Sequence, residues 1–282
     1  MIRRICAVAT YSLRQWGVDI RIRVLFLLMF VYLWSELSPI NSLSEMTGVN
    51  VNPLIFVFYS DGIVKKIILL AGVIFLFADV PFFDESQLYV MIRCKRTNWV
   101  LGKVLYIIMA SGLYFVYLEV VSVFVLIRNA YISFGDWGKV VNTLARTNAG
   151  ASIQLQFGIS DKIITNYTPQ TALVTSFMLN WGIGIFIGLL MFIISMKFNR
   201  TAGMLVASML VFFDLLVLNN LPYKWFYVSP VTLSRLGTLD PKGITTFPTL
   251  TYAAFFFIGA AFIMTIVLVF QIKNTVVEKR IV

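Results

Sequence analysis

Apolar residues in this chain gather in long unbroken stretches. Six of them, about 17–27 residues each, fall near 24–40, 64–83, 101–127, 172–196, 202–219 and 250–271. At about 1.5 Å per residue, stretches of this length cross a hydrocarbon layer of about 30 Å. They are rich in Leu, Ile, Val and Phe and lack a strict two-residue period, which predicts helices and not barrel strands. The first is the weakest: its dense core, Val24 to Trp34, is short, and Ser35 to Ile40 extend it into the interface. The pattern therefore predicts an all-α, polytopic membrane protein, with six transmembrane helices forming one transmembrane domain over 1–282.

Ahead of the first span, Ile2, Ile5, Cys6, Ala9, Leu13 and Trp16 fall within about 100° of one another on a helical wheel. Arg3, Thr10 and Arg14 lie to one side, Arg4 and Gln15 opposite, and Gly17 is a natural stop. Residues 2–17 are thus expected to form an amphipathic interfacial helix, its arginines toward lipid phosphates. A plain anchor before the first span would carry the same pattern. No A-x-A-type cleavage site follows the first span, so that span is expected to be retained.

Composition agrees with the pattern. Hydrophobic residues make up 59% of the 282 positions and charged residues 13%, against roughly 25% charged in soluble domains. Part of the surface must face something other than water. With the N-terminus in the cytoplasm, fourteen of the 23 Lys and Arg residues fall on short inner segments, Lys103 included. The other nine are spread over longer outer loops. That asymmetry predicts cytoplasmic termini in a cell-membrane protein. Lys65 and Lys66, assigned outside, run against it. The net charge of +10 needs no nucleic acid, because anionic headgroups of the inner leaflet suffice.

No soluble domain, repeat or low-complexity tract is present. The two longest non-membrane segments lie near 128–171 and 220–249, both expected outside. The first includes Asp136 to Lys139 and then Val140, Val141 and Leu144, a short surface helix by pattern. The second carries Pro222, Trp225, Phe226, Tyr227 and Pro230, which suit the headgroup zone or a re-entrant element beside a substrate path.

Enzyme chemistry lacks its parts. There is no histidine, and Cys6 and Cys94 stand far apart with no metal-binding spacing. Phosphate-loop, nucleophile-elbow and zinc-helix motifs are absent. The chain is expected to be no enzyme and to hold no metal or cofactor. Ionisable groups at membrane depth are the exceptions to its apolar character. Glu119 in span three and Asp214 in span five, with Asn180 in span four, are candidates for a polar transport path; structural packing is the alternative. Asp79 lies nearer the cytoplasmic end of span two. Gly184 and Gly188 in span four form a small-xxx-small pattern that lets helices approach closely.

Between spans two and three, Pro81 bends or ends the second span. Asp84 and Glu85 then lead a segment containing Leu88, Tyr89 and Met91 and closing on Arg93, Lys95 and Arg96. Acid first and base last suits the dipole of a short helix over about 84–96. It would cap the cytoplasmic end of the bundle and offer a charged face to a soluble partner. An ordinary positive-inside loop is the alternative.

This order of parts resembles the permease subunits of type-two ABC transporters, the mostly export-directed class. The stretch Ala78-Asp79-Val80-Pro81-Phe82-Phe83-Asp84, then Arg93 and Arg96 to Lys103, resembles that family's second cytoplasmic junction. Motif-like character covers about 25 residues; the rest of the likeness is architectural. It implies an elbow helix at 2–17 and a coupling helix at 84–96, with Asp84, Glu85, Leu88, Tyr89, Arg93, Lys95 and Arg96 facing a separate cytoplasmic ABC ATPase. That subunit would hold the ATP and Mg, and a second permease copy or a paralogue would complete the path. A peptide, an amphipathic toxin or a lipid-like molecule is the implied cargo. Two other classes remain: a membrane-embedded binding, immunity or sensor protein, and a proton-coupled secondary transporter using Glu119 or Asp214.

Overall fold

The computed structural model describes residues 1–81, 90–91, 93–147 and 149–274. Among the described residues it is helical throughout, with only two isolated β-bridges, Val51 to Ala130 and Asp240 to Thr249. The helices are α1 Ile2–Arg14, α2 Ile20–Thr47, α3 Phe56–Asp61, α4 Ile63–Leu76, α5 Arg96–Leu126, α6 Gly138–Arg146, α7 Asp161–Asn166, α8 Pro169–Lys197, α9 Arg200–Asn219, α10 Pro230–Leu233 and α11 Leu250–Asn274.

Local chemistry sets their ends. The Asp19 carboxylate accepts from the Arg21 amide at 2.9 Å and starts α2, and Gly48, at φ 64°, takes the left-handed conformation that closes it. Thr168 caps α8 with Pro169 at the first helical position. Asn199 accepts from the Ala202 amide at 2.7 Å and starts α9.

Among the described residues, four helices are long and apolar enough to cross a membrane: α5 with the turn that follows it, α8, α9 and α11. They carry predicted spans three to six. Predicted spans one and two fall on α2 and α4, which composition does not mark out in the same way. The 28 residues of α2 are long enough, but they include Arg21, Arg23, Glu36 and Glu45. The 14 residues of α4 reach only about 21 Å and begin with Lys65 and Lys66 in the first turn.

Packing is centred on α5 and α8. Half of the most apolar stretch of each is buried, against 28% for α9 and 17% for α11, so those two lie at the rim. The central pair meets at glycines. A Cβ on Gly188 would stand 2.6 Å from Ile107 Cγ2, and one on Gly184 would stand 3.0 Å from both Ser111 and Phe115. The small-xxx-small pair is thus what brings α8 against α5. The rim helices show their other side: Met209, Phe212, Phe255, Ile258, Phe262 and Phe270 are all more than half exposed. Apolar surface this extensive is the build of a membrane-embedded protein.

The helix α1 lies across the base of α5. Its buried side is Val8, Ala9 and Ser12, with Ile5, Leu13 and Trp16 half-buried, while Ile2 and Cys6 remain exposed. The buried side is therefore turned from the centre of the apolar face that the sequence pattern defines. The cause is Gly102, whose missing Cβ admits Val8, a residue outside that face.

Candidate functional site

Most polar side chains buried in this bundle belong to two clusters, at opposite ends of α5. The first joins α3, α4, α8, α9 and the segment after α9. Within that segment Tyr223, Trp225 and Val228 are exposed, whereas Ser229 to Leu236 are buried. The loop thus has two halves: exposed aromatics, then a short helix, α10, buried against the bundle.

Arg235 holds that buried half in place. It is 2% exposed and donates to Asp214, itself fully buried, at 2.7 Å. The same carboxylate accepts from Thr232 Oγ1 at 2.6 Å and Ser229 Oγ at 3.3 Å. The guanidinium also meets the carbonyls of Asp61 and Ile63 at 3.4 Å. Two residues beyond Arg235, the Gly237 amide donates to Asp61 Oδ1 at 2.8 Å. Desolvation raises the Asp61 carboxyl above its ordinary 3.8, against the pull of that amide.

Lys66, with no exposed surface, donates to Asn180 Oδ1 at 2.6 Å and to the Ser234 carbonyl at 3.0 Å. Asn180 in turn donates to Ser176, whose hydroxyl lies 3.1 Å from that of Ser60. Of these four ionisable groups Arg235 and Asp214 form an ion pair, while Lys66 and Asp61 are held by neutral partners, Asn180 with the Ser234 carbonyl and the Gly237 amide. Beside them Lys65 pairs with Glu36 at 2.7 Å, both nearly buried, tying α4 to α2. Buried charge is tolerated because it is paired and hydrogen-bonded.

The second cluster fastens α1 and the start of α2 to the other end. Lys103, 1% exposed, donates to Ser12 Oγ at 2.8 Å, and Trp16 donates to the Tyr106 hydroxyl at 3.0 Å. Arg21 bridges Asp19 and Asp79. These groups surround a cavity of about 60 Å³.

The sequence-derived candidates divide accordingly. Asn180 and Asp214 enter one network, joined through Ser234 and Arg235. Glu119 does not: its Oε1 is buried with no hydrogen-bond partner among the described residues. Of the junction, Asp84, Glu85, Leu88 and Tyr89 lie outside the described residues. Val90, Met91, Arg93 and Cys94 are helical, Lys95 stands at φ 69°, and Arg96 is the first residue of α5.

Lys66, Arg235 and the Glu36–Lys65 pair were not among those candidates. Lys65 and Lys66 were expected at the outer surface, yet both are buried. The break at Gly62, with ψ 138°, restarts the helix so that its first turn faces inward. The available signal was their position beside Asp61, at the head of the apolar run Ile67 to Phe77.

No family model matches the chain, and no curated protein or solved structure is significantly similar to it.

Proposed function

We propose that this chain is the transmembrane permease subunit of an ATP-driven ABC transporter of the type-two class, exporting a peptide, an amphipathic toxin or a lipid-like molecule. In this proposal α2 and α4 serve as spans one and two. Of their charges, Glu36 and Lys65 neutralise each other where they are buried, and Lys66 is hydrogen-bonded to Asn180 and the Ser234 carbonyl. The chain itself binds no nucleotide. A cytoplasmic ATPase holds ATP and Mg and docks on 84–96, a second permease copy or paralogue faces this one, and both termini lie in the cytoplasm.

The observation that carries the proposal is the fastening around the junction. Segment 84–96 leads directly into α5, and α1 is locked onto that same end of α5 through Val8 at Gly102 and Lys103 at Ser12. The Arg21–Asp79 pair ties the start of α2 to the chain just ahead of the junction. A push on 84–96 would therefore move α1, α2 and α5 together, as an ATP-driven rocking motion requires.

Asp214 is bound by Arg235, Thr232 and Ser229, which supports a packing role for it over a place in an open path. Co-expression with a candidate ATPase tests the proposal. The ATPase is expected to copurify, and Leu88→Ala with Tyr89→Ala is expected to weaken its association or uncouple hydrolysis from transport while membrane insertion is unchanged. Proton-driven uptake by the chain alone, or full ATPase binding and transport by the doubly substituted protein, would overturn it.

A further inference from the structure

We infer that the groove between α8 and α11 holds one acyl chain of a membrane lipid, in the leaflet on the side of the two helix N-termini. The groove encloses about 520 Å³ and is lined by Val174, Met178, Trp181, Ile185, Ala254 and Ala261, among others. Its origin is legible in the residues. Gly182 admits Phe257, since a Cβ there would stand 2.9 Å from the ring, and this draws α11 onto α8. On either side of that contact Ala254 and Ala261, with their small side chains, leave space unfilled beside Leu250 and Ile258.

The lining chooses the occupant. It holds no charged residue and a single hydroxyl side chain, Thr175. Trp181 spends its indole N–H on the Ile108 carbonyl at 2.8 Å and offers carbon to the groove. Water needs two or more polar partners and finds none such here. An empty groove would forfeit the dispersion contacts of its walls.

The dimensions choose among apolar occupants. The lining residues run from 174 to 185 on α8 and from 250 to 261 on α11, so the groove is about 16 Å long. That is half of a hydrocarbon layer of about 30 Å, the depth of one leaflet. Val174, Met178 and Ile258 at the rim are more than half exposed, so a chain enters sideways from the bilayer. This inference rests on membrane embedding and not on the transporter proposal, so loss of an ATPase partner would leave it standing.

Trp181 supplies the readout. The full-length protein in mild detergent is titrated with phosphatidylcholine brominated on its acyl chains, and the Trp181 contribution is taken as the difference from Trp181→Phe. Saturable quenching is expected, half complete while brominated lipid is still a minor mole fraction of the lipid–detergent micelle, as mass action at a site preferring lipid to detergent requires. Ala254→Phe, at an exposed position that fills the groove, should abolish the saturable part, and so should Ala261→Phe. Headgroup-brominated lipid should not reproduce it. Quenching that rises in proportion to the brominated fraction, or that persists in both filled variants, would overturn the inference.

Discussion

Removing one partner of the Arg235–Asp214 pair should damage this protein far more than removing both. In Arg235→Met the Asp214 carboxylate stays fully buried with only the Thr232 and Ser229 hydroxyls as partners. Stranding a buried charge costs about 3–5 kcal/mol, and two surviving hydroxyl bonds place this variant near the lower end. In Asp214→Leu the guanidinium keeps two carbonyl contacts at 3.4 Å, too long to compensate well, so the cost lies near the upper end. The double variant removes both charges of the pair; the Thr232 and Ser229 hydroxyls lose their acceptor, and Ser229 Oγ keeps only the Thr232 amide at 3.3 Å, for about 2 kcal/mol in all. At about 2 °C per kcal/mol for a long chain, each single change should lower the unfolding midpoint in mild detergent by about 6–10 °C. The double should stay within about 4 °C of the parent. Single variants that each lose less than about 2 °C, or a double that loses the sum of the two, would refute the pairing as the element holding Ser229 to Leu236 in the bundle.

Glu119→Gln should be nearly silent, within about 1 °C, because the carboxyl has no charged partner to strand; a large loss of thermal stability would reveal a partner. Gly188→Leu should destabilise by about 1–3 kcal/mol through overpacking against Ile107 and Phe77, read as a lower unfolding midpoint, whereas an unchanged midpoint would mean that α5 and α8 separate without cost. In single-cysteine variants, Cys6 and Cys94 should react with a membrane-impermeant thiol reagent only after cells are permeabilised. Efficient labelling of Cys94 on intact cells would reverse the proposed orientation.

Long apolar runs report roughly where a helix lies, and that much was legible in the sequence. The apolar runs located α5, α8, α9 and α11, Gly184 and Gly188 pointed to the close helix pair, and Val140, Val141 and Leu144 pointed to α6, where all three are buried. What a single helix cannot report is its partner. Lys66 meets Asn180 across 114 positions and Lys65 meets Glu36 across 29, and no local pattern links such pairs. Asp214 was singled out as a costly charge, but its cation lies 21 residues on, in a loop whose aromatics suggested a surface. The tilt of α1 was hidden for the same reason, since the residue that sets it, Gly102, belongs to another helix.

These long-range pairs alter the charge asymmetry on which the proposed orientation rests. The positive-inside bias concerns basic residues that face an aqueous compartment. Lys65, Lys66 and Arg235 were counted on the outer side, yet all three are buried and bonded to Glu36, Asn180 and Asp214. Lys103, counted inside, is buried on Ser12. Setting these four buried residues aside leaves thirteen basic residues on the inner segments against six on the outer ones. The outer loops are also the longer, so the contrast in density is steeper still. Lys65 and Lys66, which stood against the orientation as surface charges, cease to oppose it as buried ones, and the proposal of cytoplasmic termini, with 84–96 on the side where an ATPase would meet it, is correspondingly stronger.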